Sequence, residues 1–340
     1  MEITRGWSHR SFAITDVSCV GEVRRFCARL TLEAGWNELD AGRLSLIVTE
    51  LGTNLIRHAS GGQLWVASVP AHQEVEVIAL DKGPGMLDVQ RSALDGVSTG
   101  SGSPGTGLGA IRRLATDFDI HSTPQGTVCV ARVRSSAAPQ EGARRHRWGA
   151  ASIAAPGESE CGDGWAVAQD GARIRAVVVA GLGHGPLAAA AAEAALDVFA
   201  DAPLQQPLEV LVQATHTGLQ STRGAALFAM HTDTPASVQY AGAGNVMGRI
   251  ISGLADRSMV TQHGTVGVQV RRTEAATVDW PDHAIAVVHS DGIASRWKAE
   301  EVVPLLQRDP VLIAATLLWR QIRGRDDATV LVVKQGDVLE

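Results

Sequence analysis

TELGTNLIRHA, residues 49–59, governs how the first half of the chain is read. Glu50, Asn54 and His58 recur at i, i+4 and i+8, so one stripe of a helix presents all three. Leu51 and Leu55 fall on the other side and predict inward packing. Spacing alone is satisfied by an ordinary solvated face, and the loops downstream are what point to a site. DKGPG at 81–85 sets an acidic residue at the end of a strand, followed by glycines that let the backbone approach closely. GTGLG at 105–109 opens a helix whose free amides and dipole suit phosphate oxygens. Each glycine motif alone is weak, because turns use glycine everywhere. The three in this order are far more specific.

Working outward, DVSCVGEVRRFCARLTLEAG (16–35) predicts an amphipathic helix. Asp16 or Ser18 caps it, Val20, Val23, Cys27 and Leu30 share a face, and Gly35 ends it. A second helix is expected at about 40–59, then strands at 63–69 and 74–80, a short helix in AIRRLATDF and the hairpin DIHSTPQGTVCVARV. This order predicts an α+β sandwich, a mixed sheet with helices on one face. SSAAPQEGARRHRW (135–148) breaks the periodicity with small, polar and basic residues and reads as a linker. Beyond it, WAVAQD, IRAVVVAGL, AALFAMH, SVQYAGAG, AIAVVHS and ATVLVVK are strand-like, with helices expected at 186–200, 207–219 and 308–322. The expected division is 1–134, linker 135–148, and a β-rich domain over 149–340.

The bulk numbers narrow the classes. A chain of 340 residues exceeds one typical domain, and 45% apolar with 19% charged residues allows two sizeable cores. A net charge of −6 argues against a general nucleic-acid or membrane-surface binder. Four cysteines carry no CxxC pair, so reduced, mostly buried thiols are expected. There is no apolar core of signal-peptide type, and no apolar run of the roughly 18 residues a span needs. The expectation is a cytoplasmic protein. Eight Trp against one Tyr are scattered along the chain and read as packing or rim residues.

On ELGTNLIRHA, DKGPG and GTGLGAIRRL, residues 10–135 resemble the GHKL ATPase superfamily, most closely the small serine kinases RsbT and RsbW. The resemblance implies an ATP-binding α/β sandwich in which Asn54 coordinates the magnesium bridging the ATP phosphates. It implies that Asp81 hydrogen-bonds the adenine amino group. Gly83, Gly85, Gly105, Gly107, Leu108 and Gly109 would shape the pocket and a lid at 96–109. Glu50 stands where the family carries its catalytic base, which takes the proton from an acceptor serine hydroxyl.

The second half offers carboxylates. CGDGW (161–165), HSDGI (289–293) and GRDDATVLVV (324–333) each put an Asp at a strand edge beside glycine or another Asp. Any one of them is explained by turn chemistry. VVVAGLGHGPLAAAA (177–191) runs from strand through a glycine turn, with Gly181, Gly183 and Gly185, into a helix, and His184 is placed to face a site. Together with TRGAALFAM (222–230) and YAGAGNV (240–246), these stretches resemble the SpoIIE/RsbX branch of the protein phosphatase 2C superfamily over about 148–335. The resemblance implies an αββα sandwich with a binuclear magnesium or manganese centre. It carries metal roles onto Asp163, Asp291 and Asp326, with the Gly181 carbonyl as a further ligand; of the pair Asp326 and Asp327, the first is chosen.

In that branch the strand before GLGHG ends in an Asp that bridges both metals. Here the position is Ala180, whose methyl cannot coordinate a cation. The combined resemblance implies a bifunctional partner-switching regulator: a serine kinase-like module, and a metal-dependent phosphoserine/phosphothreonine phosphatase module acting on STAS-type antagonists. A homodimer is left open. The alternative is an anti-sigma-like scaffold whose phosphatase domain is inactive because of Ala180.

Overall fold

The computed structural model describes residues 1–59, 61–86, 88–89, 107–138, 147–234 and 236–335. The chain divides into two compact units, His9–Arg145 and Met1–Ser8 with His146–Glu340. The first unit is therefore an insertion in the second, a boundary that differs from the expected 1–134.

The inserted unit holds β2 (Arg10–Ile14), α1 (Val17–Glu33), α2 (Glu38–His58), β3 (Gly62–Val69), β4 (Glu74–Leu80), α3 (Gly107–Leu114), β5 (Asp117–Thr123) and β6 (Gly126–Arg134), after the first strand of the chain, β1 (Glu2–Arg5). Asp16 Oδ1 accepts from the Ser18 and Cys19 amides and starts α1. Asn37 caps α2 by accepting from the Asp40 amide at 2.9 Å, three residues ahead of the expected start. Glu38 and Asp40 in its first turn and Arg57 and His58 in its last complement the helix dipole. The sheet has order β2-β3-β4-β6-β5, and all four pairings are antiparallel rather than mixed. Alternate residues Val75, Val77 and Ala79 of β4 and Cys129, Ala131 and Val133 of β6 meet Val20, Val23, Leu44, Ile47, Val48 and Leu51 of the helices. On the alternate positions of the same strands, Arg132 donates to Glu76 at 2.6 Å and Arg134 to Glu74 at 2.9 Å. Part of the expected linker belongs to this unit: Asp40 Oδ2 accepts from both the amide and the hydroxyl of Ser136.

The host unit follows with β7 (Trp148–Ile153), β8 (Asp163–Asp170), β9 (Arg173–Gly181), α4 (Pro186–Asp201), α5 (Leu208–Gly218), β10 (Ala225–Thr234), β11 (Ser237–Ala243), β12 (Met247–Ile251) and β13 (Asp256–Met259). The short pair β14 (Gly264–Thr265) and β15 (Gln269–Val270), then β16 (Ala276–Asp279), β17 (Ile285–His289), α6 (Pro310–Gln321) and β18 (Ala328–Lys334) complete it. Two sheets form, β1-β8-β9-β10-β11-β16 and β13-β12-β17-β18-β7. Period-two alternation in β9 builds both faces of the first. Ile174, Ala176, Val178 and Ala180 pack with Ala286, Val288, Leu331 and Val333 between the sheets, while Val177 and Val179 pack with Ala192, Ala195, Leu196 and Leu211 under α4 and α5. Helix α6 covers β7 and β18 of the second sheet. The layers are αββα.

Strand β1 is the edge of the first sheet, with Glu2 opposite Gln169 and Arg5 opposite Ala166. The chain leaves this unit just after Trp7 and returns at β7, which begins with Trp148. Trp7 and Trp148 both pack on Trp165 of β8, at 4.8 and 5.8 Å between ring centroids, and lie 6.5 Å from each other. Trp165 Nε1 donates to the Trp7 carbonyl and the Gly6 amide donates to the Trp165 carbonyl. Three of the tryptophans that look scattered in sequence thus form one cluster. Among the described residues, no helix is long and apolar enough to cross a membrane.

Candidate functional site

In the inserted unit, Glu50 and Asn54 lie half-buried on α2, and His58 is exposed at its end. Gly107, the first residue of α3, sits against both. A Cβ there would stand 2.9 Å from Glu50 Oε2 and 3.6 Å from Asn54 Oδ1. Leu108 and Gly109 follow in the first turn, so the N-terminus of α3 opens beside the Glu50–Asn54 stripe. Asp81 continues from β4. Its Oδ1 accepts from the Gly83 amide at 2.7 Å and the Thr127 amide at 3.2 Å, which orients Oδ2 with no bond among the described residues. Burial raises the Asp81 pKa against those two amide bonds. Gly83 is buried against Ala59, and Gly85, at φ +70°, lies against the Thr123 carbonyl, where a Cβ would clash. Gly105 and residues 96–106 of the expected lid lie outside the described residues.

In the host unit, Asp163, Gly181, Asp291 and Asp326 line a single cleft of about 480 Å³ with Ala180, Leu182, Gly183, Asn245, Val260, Thr261 and His263. Asp163 opens β8 directly opposite Ala180 of β9. Asp291 follows β17 in an Asp-Gly turn, and Asp326 precedes β18. The glycine of that turn is required, because a Cβ on Gly292 would fall 2.0 Å from the Asp327 carbonyl oxygen. Strand pairing of β17 with β18 and of β8 with β9 thus brings distant aspartates to one end of the sandwich.

Burial pushes the Asp163 carboxyl up to about 7, the neighbouring charges of Asp327 and Asp291 adding to it and the Ser290 and Thr329 hydroxyls opposing. Its Oδ2 is buried with no hydrogen-bond partner. Burial and Asp326 also raise the Asp291 pKa, while Asn245 Nδ2 donates to Asp291 Oδ2 at 2.6 Å. Asp327 is 2% exposed and outside the cleft lining; its Oδ1 accepts from the Ala155 amide at 2.8 Å. Such a set, all oxygen and short of positive charge, suits a hard cation. Among the described residues, however, no three His, Cys, Asp or Glu side chains group closely enough to hold a metal ion by themselves.

His184 does not face the cleft. Its Nδ1 lies 2.7 Å from Glu158 Oε1, and the ring is exposed. The positive φ of Gly183 and Gly185 turns the chain on either side of it. Neither spacing nor a motif in the sequence marks Asn245, Arg223 or His263 as a site residue. Asn245 sits in the quoted stretch YAGAGNV, but only its distance to Asp291 marks it.

Comparison with known proteins places both units. Residues 15–133 match the family described as the histidine kinase-like ATPase domain. Serine/threonine-protein kinase RsbT of Bacillus subtilis (strain 168) is 32% identical over 119 residues, covering 32% of this chain and 89% of RsbT. A solved structure described as "The bacterial stressosome: a modular system that has been adapted to control secondary messenger signaling" is 26% identical, with a TM-score of 0.52, over 55% of this chain and 97% of its own. RsbX in complex with magnesium is 19% identical at a TM-score of 0.50, over 56% of this chain and 94% of its own, a likeness of fold. The chain belongs, through its N-terminal unit, to the histidine kinase-like ATPase domain family alongside RsbT, and its C-terminal unit has the fold of the protein phosphatase 2C-like phosphatases.

Proposed function

We propose that this chain is a bifunctional partner-switching regulator. Its inserted unit binds ATP and phosphorylates a serine or threonine of a STAS-type antagonist, and its host unit removes phosphate from such a protein. One observation carries the phosphatase half: three aspartates from distant segments line one cleft, and one of them buries an oxygen without a partner. A magnesium or manganese ion held by Asp163, Asp291, Asp326 and the Gly181 carbonyl would supply a Lewis acid and an activated water. Asn245 orients the Asp291 carboxylate. Asp327 holds the Ala155 backbone and keeps the turn before β18 in place. In the ATP unit, the free Oδ2 of Asp81 suits an amino donor such as that of adenine. Asn54 would hold magnesium at the phosphates, and Glu50 would accept the hydroxyl proton of the incoming serine.

Ala180 offers a methyl where a shared carboxylate would stand, and it is 7% exposed within the core between the sheets. Cation binding is accordingly weak in this chain. The test is Ala180→Asp. Directly opposite Asp163, the new carboxylate adds repulsion, so melting without divalent cation falls; manganese then restores it, with affinity and phosphate release up about tenfold or more. An unchanged manganese response sinks this assignment of the turn. The second reading, a scaffold that binds phosphoprotein without hydrolysis, is favoured by the same Ala180. Phosphate release from a phosphoserine protein in manganese separates the two.

A further inference from the structure

Three carboxylates repel a phosphate dianion, so the acidic floor cannot recognise its substrate unaided. A positive group is needed at the mouth. The guanidinium of Arg223 stands there, with Nη1 3.4 Å from the place a Cβ would take on Gly183, a residue of the cleft lining. The turn that carries it is fixed to the cleft wall. Thr222 Oγ1 donates to the Leu219 carbonyl at 2.8 Å and accepts from the Gly224 amide at 3.0 Å, and the Gly224 carbonyl accepts from the Leu182 amide at 2.9 Å. Arg223 is exposed, and no described carboxylate pairs with it.

A second donor is His263, which lines the cleft from the loop between β13 and β14 and has no hydrogen-bond partner among the described residues. That loop is held on both flanks. The Gly244 amide donates to the Gln262 carbonyl at 2.9 Å and the Val266 amide to the Ala225 carbonyl at 2.8 Å. The walls between these donors are apolar: Leu182 and Val260 line the same cleft and are 55% and 63% exposed. An anion-binding fork at the rim with exposed aliphatic walls fits a peptide more closely than a free ion.

We infer that Arg223, aided by His263, is the phosphoryl-recognition residue of this cleft, and that the ligand is a phosphorylated peptide segment with aliphatic residues beside the phosphorylated hydroxyl. The inference rests on the phosphatase-like reading of the cleft and names what it takes. Arg223 acts in binding: its planar fork can engage two phosphoryl oxygens, which a lysine cannot reproduce.

The test uses the full chain and calorimetric titration without divalent cation. The probes are a phosphoserine peptide flanked by Leu and Val, its unphosphorylated form, the same phosphopeptide flanked by Gly and Ser, and inorganic phosphate. The parent should bind the first tightest. Arg223→Ala should weaken it about tenfold or more, Arg223→Lys should recover part of the loss, and His263→Gln should cost less. The melting shift given by manganese alone should be the same in parent and Arg223→Ala, which reports an intact fold. Phosphopeptide binding within twofold of the parent in Arg223→Ala overturns the inference. So does a parent that binds no phosphopeptide, or one that binds inorganic phosphate as tightly. Arg223-dependent binding with no phosphate release in manganese overturns the hydrolase reading and leaves recognition standing. Release with an unchanged KM in Arg223→Ala does the reverse.

Discussion

Asp163 gives the cleft a pH response whose direction follows from its surroundings. In the fold its carboxyl titrates near 7, against about 3.9 in an unfolded chain. The folded state therefore holds the proton more tightly. The stability this contributes is complete below about pH 4 and is lost as pH rises through about 7. A divalent cation competes for the same oxygens, so manganese should raise the melting temperature more at about pH 8 than at about pH 6, its apparent affinity falling up to about tenfold per pH unit below 7. Equal shifts at both pH values would place the cation elsewhere. Asp163, Asp291 and Asp326 could be picked from sequence because each stands at a strand edge beside Gly or a second Asp. Asn245 and Arg223 could not, since what marks them is a contact with residues 46 and 40 positions away. His184 misled for the converse reason: its glycine-flanked turn was legible, but the side of the turn its ring takes is decided by Glu158.

Among the elements, helices were the most legible and edge strands the least. The stripe of Leu44, Ile47, Val48, Leu51 and Leu55 announces α2, and all five are buried. Its start is earlier than the apolar period suggests because Asn37, a polar residue outside that period, supplies the cap. Asn37 Nδ2 also donates to Asp40 Oδ2 and to Ser136 Oγ, so the same side chain fastens the turn that follows β6. Asn37→Ala should destabilise the inserted unit by about 1 kcal/mol, the usual worth of such a cap. The check is chemical denaturation of the full chain with amide exchange at α2; exchange there no faster than in the parent would deny the cap that role. Strand β1 was missed altogether. Its four residues show little alternation, and the partner that makes them a strand lies about 160 residues downstream at Ala166–Gln169. No local pattern encodes such a pairing.

For the whole molecule, the host sandwich is assembled from both ends of the chain. A piece beginning at residue 147 would keep the cleft but lose β1, which leaves β8 as an unprotected edge and removes the Trp7 carbonyl from the Trp165 ring nitrogen. We expect that piece to melt lower and to self-associate. A version keeping residues 1–8 joined to residue 147 by a short Gly-Ser bridge should stay monomeric and melt several degrees higher, about what 1–2 kcal/mol gives in a domain of this size. Matching melts for the two pieces, read by calorimetry and light scattering, would count against any role for β1. The two ends of the insertion meet at one place, where the Trp7 and Trp148 rings lie 6.5 Å apart by centroid and both contact Trp165. To the host, the inserted unit is one long loop whose two ends are held by a cluster of three indoles meeting edge-on or tilted. The penalty for closing a loop grows only slowly with its length, so guests of very different size cost the host nearly the same. This seam is thus a socket: a lineage could replace one inserted unit with another by splicing at a single point, leaving the host sandwich and its cleft untouched.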